Sequence, residues 1–176
     1  MAALVAMFFL FSCTNNPNEV KKYADTLEEP MEIQEDLHLV YTDSALLKMD
    51  LKAKLAENYP QLEEPKMEFP KGINVIFYDN FGKEDSRLRA NRAINYPNKK
   101  MWEAYGDVVI INDLGEKLNT EKLFWDRGTK KLYTDAYSKL TTPDRILMGE
   151  GFEADQDLRN AVFNKPTGEI YVEDDE

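Results

Sequence analysis

Leu47-Lys48-Met49-Asp50-Leu51-Lys52-Ala53-Lys54-Leu55 decides the fold, because every odd position is apolar and every even one charged. Successive side chains of a β-strand point to opposite faces, so this alternation describes a strand with one face buried and one wet. On a helix of 3.6 residues per turn, Leu47, Met49, Leu51 and Leu55 would spread around the axis and form no continuous apolar stripe. Outward from there, Ile73-Asn74-Val75-Ile76-Phe77-Tyr78 is a further strand that runs into the turn signal Asp79-Asn80-Phe81-Gly82. Asp107-Val108-Val109-Ile110-Ile111 is another, running into Asn112-Asp113-Leu114-Gly115. The two modules repeat at a spacing of 33 residues, with Val75, Phe77, Phe81 and Gly82 falling on Val108, Ile110, Leu114 and Gly115. A second echo, at 31 residues, sets Lys99-Lys100-Met101-Trp102 over Lys130-Lys131-Leu132-Tyr133. Between Met101 and Tyr105 the phase stays open: alternation groups Trp102 with Ala104, whereas the echo pairs Trp102 with Tyr133.

No amphipathic helix of ten residues or more separates these modules, so they read as stacked rungs of antiparallel hairpins and the class as all-β. Patterning alone admits both a sandwich with two inward faces and an open roll whose rungs share one long apolar interior. The 176 residues, 43% apolar and 31% charged, suffice for one ordinary domain with a core. With 33 acidic and 22 basic side chains the net charge is −11, which argues against nucleic acid as a partner.

A single Cys and a single His cannot build a zinc site or an internal disulfide. His38, in Leu37-His38-Leu39-Val40-Tyr41, falls on the wet side of a strand. Asp126, Asp135, Asp144, Asp155 and Asp157 are the carboxylates a glycosidase would have to pair. Each sits at a turn or strand end, where Asp serves turn chemistry, and there is no Gly-rich phosphate loop or nucleophile elbow. The expectation is therefore no enzyme, no catalytic residue, no metal and no cofactor.

Residues 1–12, Met-Ala-Ala-Leu-Val-Ala-Met-Phe-Phe-Leu-Phe-Ser, carry no charge and run into Cys13. Twelve residues are too short for a transmembrane helix but match the apolar region of a signal peptide. Leu10-Phe11-Ser12-Cys13 resembles a bacterial lipobox, which makes Cys13 the expected site of lipidation, although no Lys or Arg precedes the apolar run. The expected organisation is a signal segment 1–12, the lipidated Cys with a polar linker over 13–36, a β domain over 37–172, and the acidic tail Glu173-Asp174-Asp175-Glu176.

Several segments in order carry a family resemblance. Leu123-Phe124-Trp125-Asp126, Leu132-Tyr133-Thr134-Asp135, Thr141-Thr142-Pro143-Asp144 and Gly149-Glu150-Gly151-Phe152-Glu153-Ala154-Asp155 resemble the C-terminal half of the LptC family, the lipopolysaccharide-export component of the inner membrane; Met101 to Val108 resembles its strand ending in a Gly. The resemblance implies an OstA-like twisted β-jellyroll, open along one side. It implies a protein that receives lipopolysaccharide from an inner-membrane ABC transporter complex and passes it to a periplasmic bridge protein of the same fold. Cys13 stands where many relatives have a transmembrane helix, so this chain is expected in the periplasm, held to the inner membrane by a lipid anchor.

Each CH₂ of an acyl chain exposed to water costs about 0.8 kcal/mol, so a carrier has to shield the tails along an apolar surface. The expected tail-facing set is Leu47, Met49, Leu51, Val75, Phe77, Val108, Ile110, Leu123, Trp125 and Phe152. Lys71, Lys99, Lys100, Lys130 and Lys131 are candidates for head-group phosphates, and residues 152–172 for the edge that pairs with the next protein. A generic periplasmic lipid-binding or scaffold lipoprotein is the alternative reading.

Overall fold

The computed structural model describes residues 29–168; Cys13, the apolar segment before it and the acidic tail lie outside them. The elements are β1 (Glu32–Asp43), β2 (Leu46–Tyr59), β3 (Lys66–Phe69), β4 (Ile73–Tyr78), β5 (Glu84–Ala90), β6 (Arg92–Tyr96), β7 (Met101–Asn112), β8 (Lys117–Asp126), β9 (Lys131–Thr141), β10 (Ile146–Asp155) and β11 (Val162–Pro166). All pair antiparallel in one eleven-stranded sheet, a twisted β-jellyroll of the OstA-like type. Among the described residues there is no helix.

Two long strands give the sheet its depth. β2 offers Met49–Ala53 to β4 and Glu57–Tyr59 to β3, while β7 offers 109–112 to β5 and 101–105 to β6. Two routes therefore connect β2 with β7, one through β4 and β5 and one through β3 and β6, and they form the two walls of a roll. From β7 onward the hairpin strands β8, β9 and β10 extend it, and among the described residues the sheet ends in two edges, β1 paired only with β2 and β11 only with β10.

The corner of each rung shows as a slip in pleat phase. On β2 the buried series runs Leu51, Ala53 and then Ala56, a step of three that leaves Leu55 only half-buried where strict alternation would have turned it inward. On β8 it runs Leu118, Thr120, Leu123, and on β10 Gly149 gives way to Phe152. On β7 the register skips between Tyr105 and Val108, where Gly106 (φ 70°) and Asp107 (φ 44°) both adopt left-handed backbone. The bulge on β7 bends that strand and steepens its twist, carrying it from the wall of β5 to the wall of β6.

The 33-residue echo is a pair of equivalent turns. Asp79 Oδ1 accepts the backbone N–H groups of Phe81 and Lys83 at 2.7 and 2.9 Å, and Asn112 Oδ1 accepts those of Leu114 and Glu116 at 3.1 and 2.9 Å. Gly82 (φ 78°) and Gly115 (φ 79°) supply the positive φ that each turn needs. Asn112 Nδ2 also donates to the carbonyl of Asp157 at 3.1 Å, tying in the turn that follows β10. The 31-residue echo, by contrast, is one residue out. Trp102 is level with Trp125 and Trp125 with Leu132, while Tyr133 points outward.

At the other end, the composition-based linker boundary differs from the structure: β1 starts at Glu32, inside the acidic stretch assigned to 13–36. Its acids are compatible with a strand because they lie on an exposed edge, and only Leu37 and Leu39 pack on the core.

Candidate functional site

The inner faces of both walls share one apolar interior. Leu51, Val75, Val108, Ile110, Leu123 and Phe152 are all 4% exposed or less and belong to a single cluster, with Met49, Phe77 and Trp125 packed against it half-buried. Nine of the ten residues expected to face the interior are therefore brought together. Leu47 is not among them: it lies near the β1–β2 turn, half-buried and outside the cluster. Sequence reading missed Phe69 and Trp102, whose rings stack at 5.7 Å across the second wall. Phe69 stands in a strand of four residues, too short for alternation to show, and Trp102 lay in the stretch of ambiguous phase.

Within this interior, Met49, Leu51, Val75, Phe77, Leu123 and Trp125 line a cavity of about 30 Å³, which holds about one water. It adjoins a recess of about 200 Å³ that Phe77, Leu88 and Trp125 share with Ile110 and Leu132 and whose rim is polar, with Lys48, Asp85, Ser86 and Gln156. Phe77 and Trp125 meet edge to face at the junction, centroids 5.4 Å apart and planes at 83°. A chain of roughly a dozen methylenes would bring tens of contacts but needs those side chains to part. Burial holds the Asp85 carboxyl above the usual carboxylate range, reinforced by Asp113, Asp157 and Asp79 around the same end of the roll.

The carboxylates considered for catalysis are turn residues. Asp126 accepts the backbone N–H of Gly128 at 2.7 Å and of Thr129 at 3.1 Å; Asp135 pairs with Lys122, Asp144 with the Thr142 hydroxyl, Asp155 with Lys131, and Asp157 with Arg159. These partners hold Asp126, Asp135, Asp144 and Asp155 below the usual range, opposite to what a general acid requires. His38 is exposed and meets Asp50 at 3.0 Å. Among the described residues no three acidic, His or Cys side chains gather as a metal site.

The candidate head-group lysines lie outside the apolar interior. Lys99 pairs with Glu64 at 3.0 Å and Lys131 with Asp155 at 2.9 Å. Lys100 and Lys130 occupy hairpin positions with positive φ. Lys71 lines an outer recess with Lys52, Lys54 and Arg89.

The described residues thus form a twisted β-roll with a continuous apolar interior and two edge strands, β1 and β11. The sequence matches the family model described as "Lipopolysaccharide-assembly, LptC-related" over residues 1–167, and the chain belongs to that family. No curated relative matches it. Membership makes it a lipopolysaccharide-transport component, of a family that is periplasmic and membrane-associated and is not a known enzyme family. No helix among the described residues is long and apolar enough to cross a membrane.

Proposed function

We propose that this chain, anchored by lipidated Cys13, receives lipopolysaccharide from an inner-membrane ABC transporter complex and passes it, tails inward, to a periplasmic bridge protein of the same fold. The observation that carries the reading is the single apolar interior formed by Leu51, Val75, Ile110, Leu123 and Phe152 across both walls. Strand edges at β1 and β11 support it further, because an unpaired edge accepts a strand from another sheet. β11 is the outgoing edge. The chain has no nucleotide-binding loop, so the energy comes from the transporter. Its net charge of −11 disfavours long-range capture of an anionic lipid and favours direct delivery.

The test is reconstitution. Vesicles carrying the transporter, lipopolysaccharide and this lipoprotein are mixed with the soluble bridge protein and ATP. Lipopolysaccharide should appear on the bridge protein only when this chain is present, and transfer undiminished without it would overturn the reading.

A further inference from the structure

Trp125 packs on the core through its ring, yet its Nε1–H is buried and finds no acceptor among the described residues. Of the two tryptophans only this one carries an orphaned nitrogen. Buried donors are nearly always satisfied, and leaving one unmade costs stability that a phenylalanine at the same place would not incur. The position explains the nitrogen if its acceptor arrives with a ligand. Trp125 lines both the tight apolar cavity, beside Leu51 and Val75, and the recess whose rim carries Lys48, Ser86 and Gln156. A lipid with its chain in the first and its head toward the second places at this junction the carbonyl of the ester or amide that joins chain to head.

We propose that Trp125 Nε1 donates a hydrogen bond to the carbonyl oxygen at the head of a bound acyl chain, which fixes the depth of the chain and favours acyl over plain alkyl lipids. This rests on the reading of the interior as a lipid site and adds the ligand group and the residue that recognises it. The Phe77 edge packed on the same ring is the side chain that has to yield as the chain enters.

The experiment uses the chain from residue 13 onward with Cys13→Ser, which contains every described element and needs no detergent for its anchor. Two twelve-carbon probes with disaccharide heads are titrated below their micellar concentrations: sucrose monolaurate, which has an ester carbonyl, and dodecyl maltoside, whose glycosidic link has no carbonyl. Trp125→Phe should weaken laurate binding about tenfold, the value of one good hydrogen bond, and change maltoside binding less than twofold. In the parent, the indole N–H resonance of Trp125 should move downfield with the laurate and not with the maltoside, while the unliganded variant melts no lower than its parent. Equal weakening for both probes, or an unmoved indole resonance with bound laurate, would reduce Trp125 to packing and overturn the inference alone. If the parent binds neither probe nor lipopolysaccharide, the lipid reading fails and the inference with it.

Discussion

Gly149→Ala should peel β11 from the sheet and leave the remainder folded. Gly149 is buried on β10 opposite Pro166, and a Cβ built on it stands 2.3 Å from the backbone oxygen of Lys165 and 3.0 Å from the Cα of Pro166. Ordinary contact starts at 3.4 Å, so β11 must retreat by about 1 Å, enough to break N–H···O bonds of normal length. The five residues of β11 hold to β10 through their ladder and through Phe163, whose ring meets Phe152 edge-on at 5.2 Å. Two or three lost bonds at about 1 kcal/mol each, with about 1 kcal/mol of aromatic contact, give a penalty of about 3 to 4 kcal/mol. That suffices to open an end strand but falls below the 5 to 15 kcal/mol typical of a whole domain. Hydrogen exchange read by mass spectrometry should show protection lost over 162–166 and retained over 101–126, together with loss of binding to the bridge protein. Gly115→Ala is the comparison: no atom lies within 4 Å of its Cβ, so it adds only the backbone strain of a positive φ at a distant turn, and protection over 162–166 should stay. Unchanged protection of β11, or collapse of the entire sheet, would refute the reasoning.

Other perturbations read other parts of the account. Asn112→Ala removes the acceptor of two turn amides and leaves them unmet, so denaturant unfolding should report a loss of about 2 to 3 kcal/mol. Phe152→Ala, at a site 1% exposed, should cost about 3 to 5 kcal/mol in the same assay. Because Asp85 is raised in the folded state, its ionisation opposes folding at neutral pH. Asp85→Asn should therefore raise the melting temperature at pH 7, with the gain vanishing below the ordinary value of 3.8, where the carboxyl is protonated in both states. Tyr59 and Tyr105 are pushed up to about 12, first by burial and then by Glu57 and Glu103, which accept their phenolic hydrogens. Ultraviolet titration should show a late ionisation step, well above the ordinary value of 10.0, that Tyr59→Phe and Tyr105→Phe together diminish.

The strands were legible where pleat and burial coincide, as along Leu51-Lys52-Ala53, and the turns where Asp79 and Asn112 repeat with their glycines. What alternation could not convey is the corner, where the inward set of β2 steps from Ala53 to Ala56 without a mark in the composition. The same slip made Trp102 ambiguous, since only the register across β7 and β8 shows that it faces Trp125. β1 was hidden for another reason, because an edge strand wets both sides and loses its alternation. Leu47 was placed inside by extending the period past the point where β2 leaves the core. The orphaned Trp125 nitrogen has no signal in sequence at all, being a property of what fails to surround it.

The most direct measurement places a photo-crosslinking residue at Phe77 and, separately, at Ile110 in living cells, with Lys139 on the outer face as control, and probes the adducts with an antibody to lipopolysaccharide. Adducts at both inner positions and none at Lys139 are predicted. Folded, membrane-associated protein that yields no adduct at either inner position would contradict the account and leave a closed β-roll with no lipid inside.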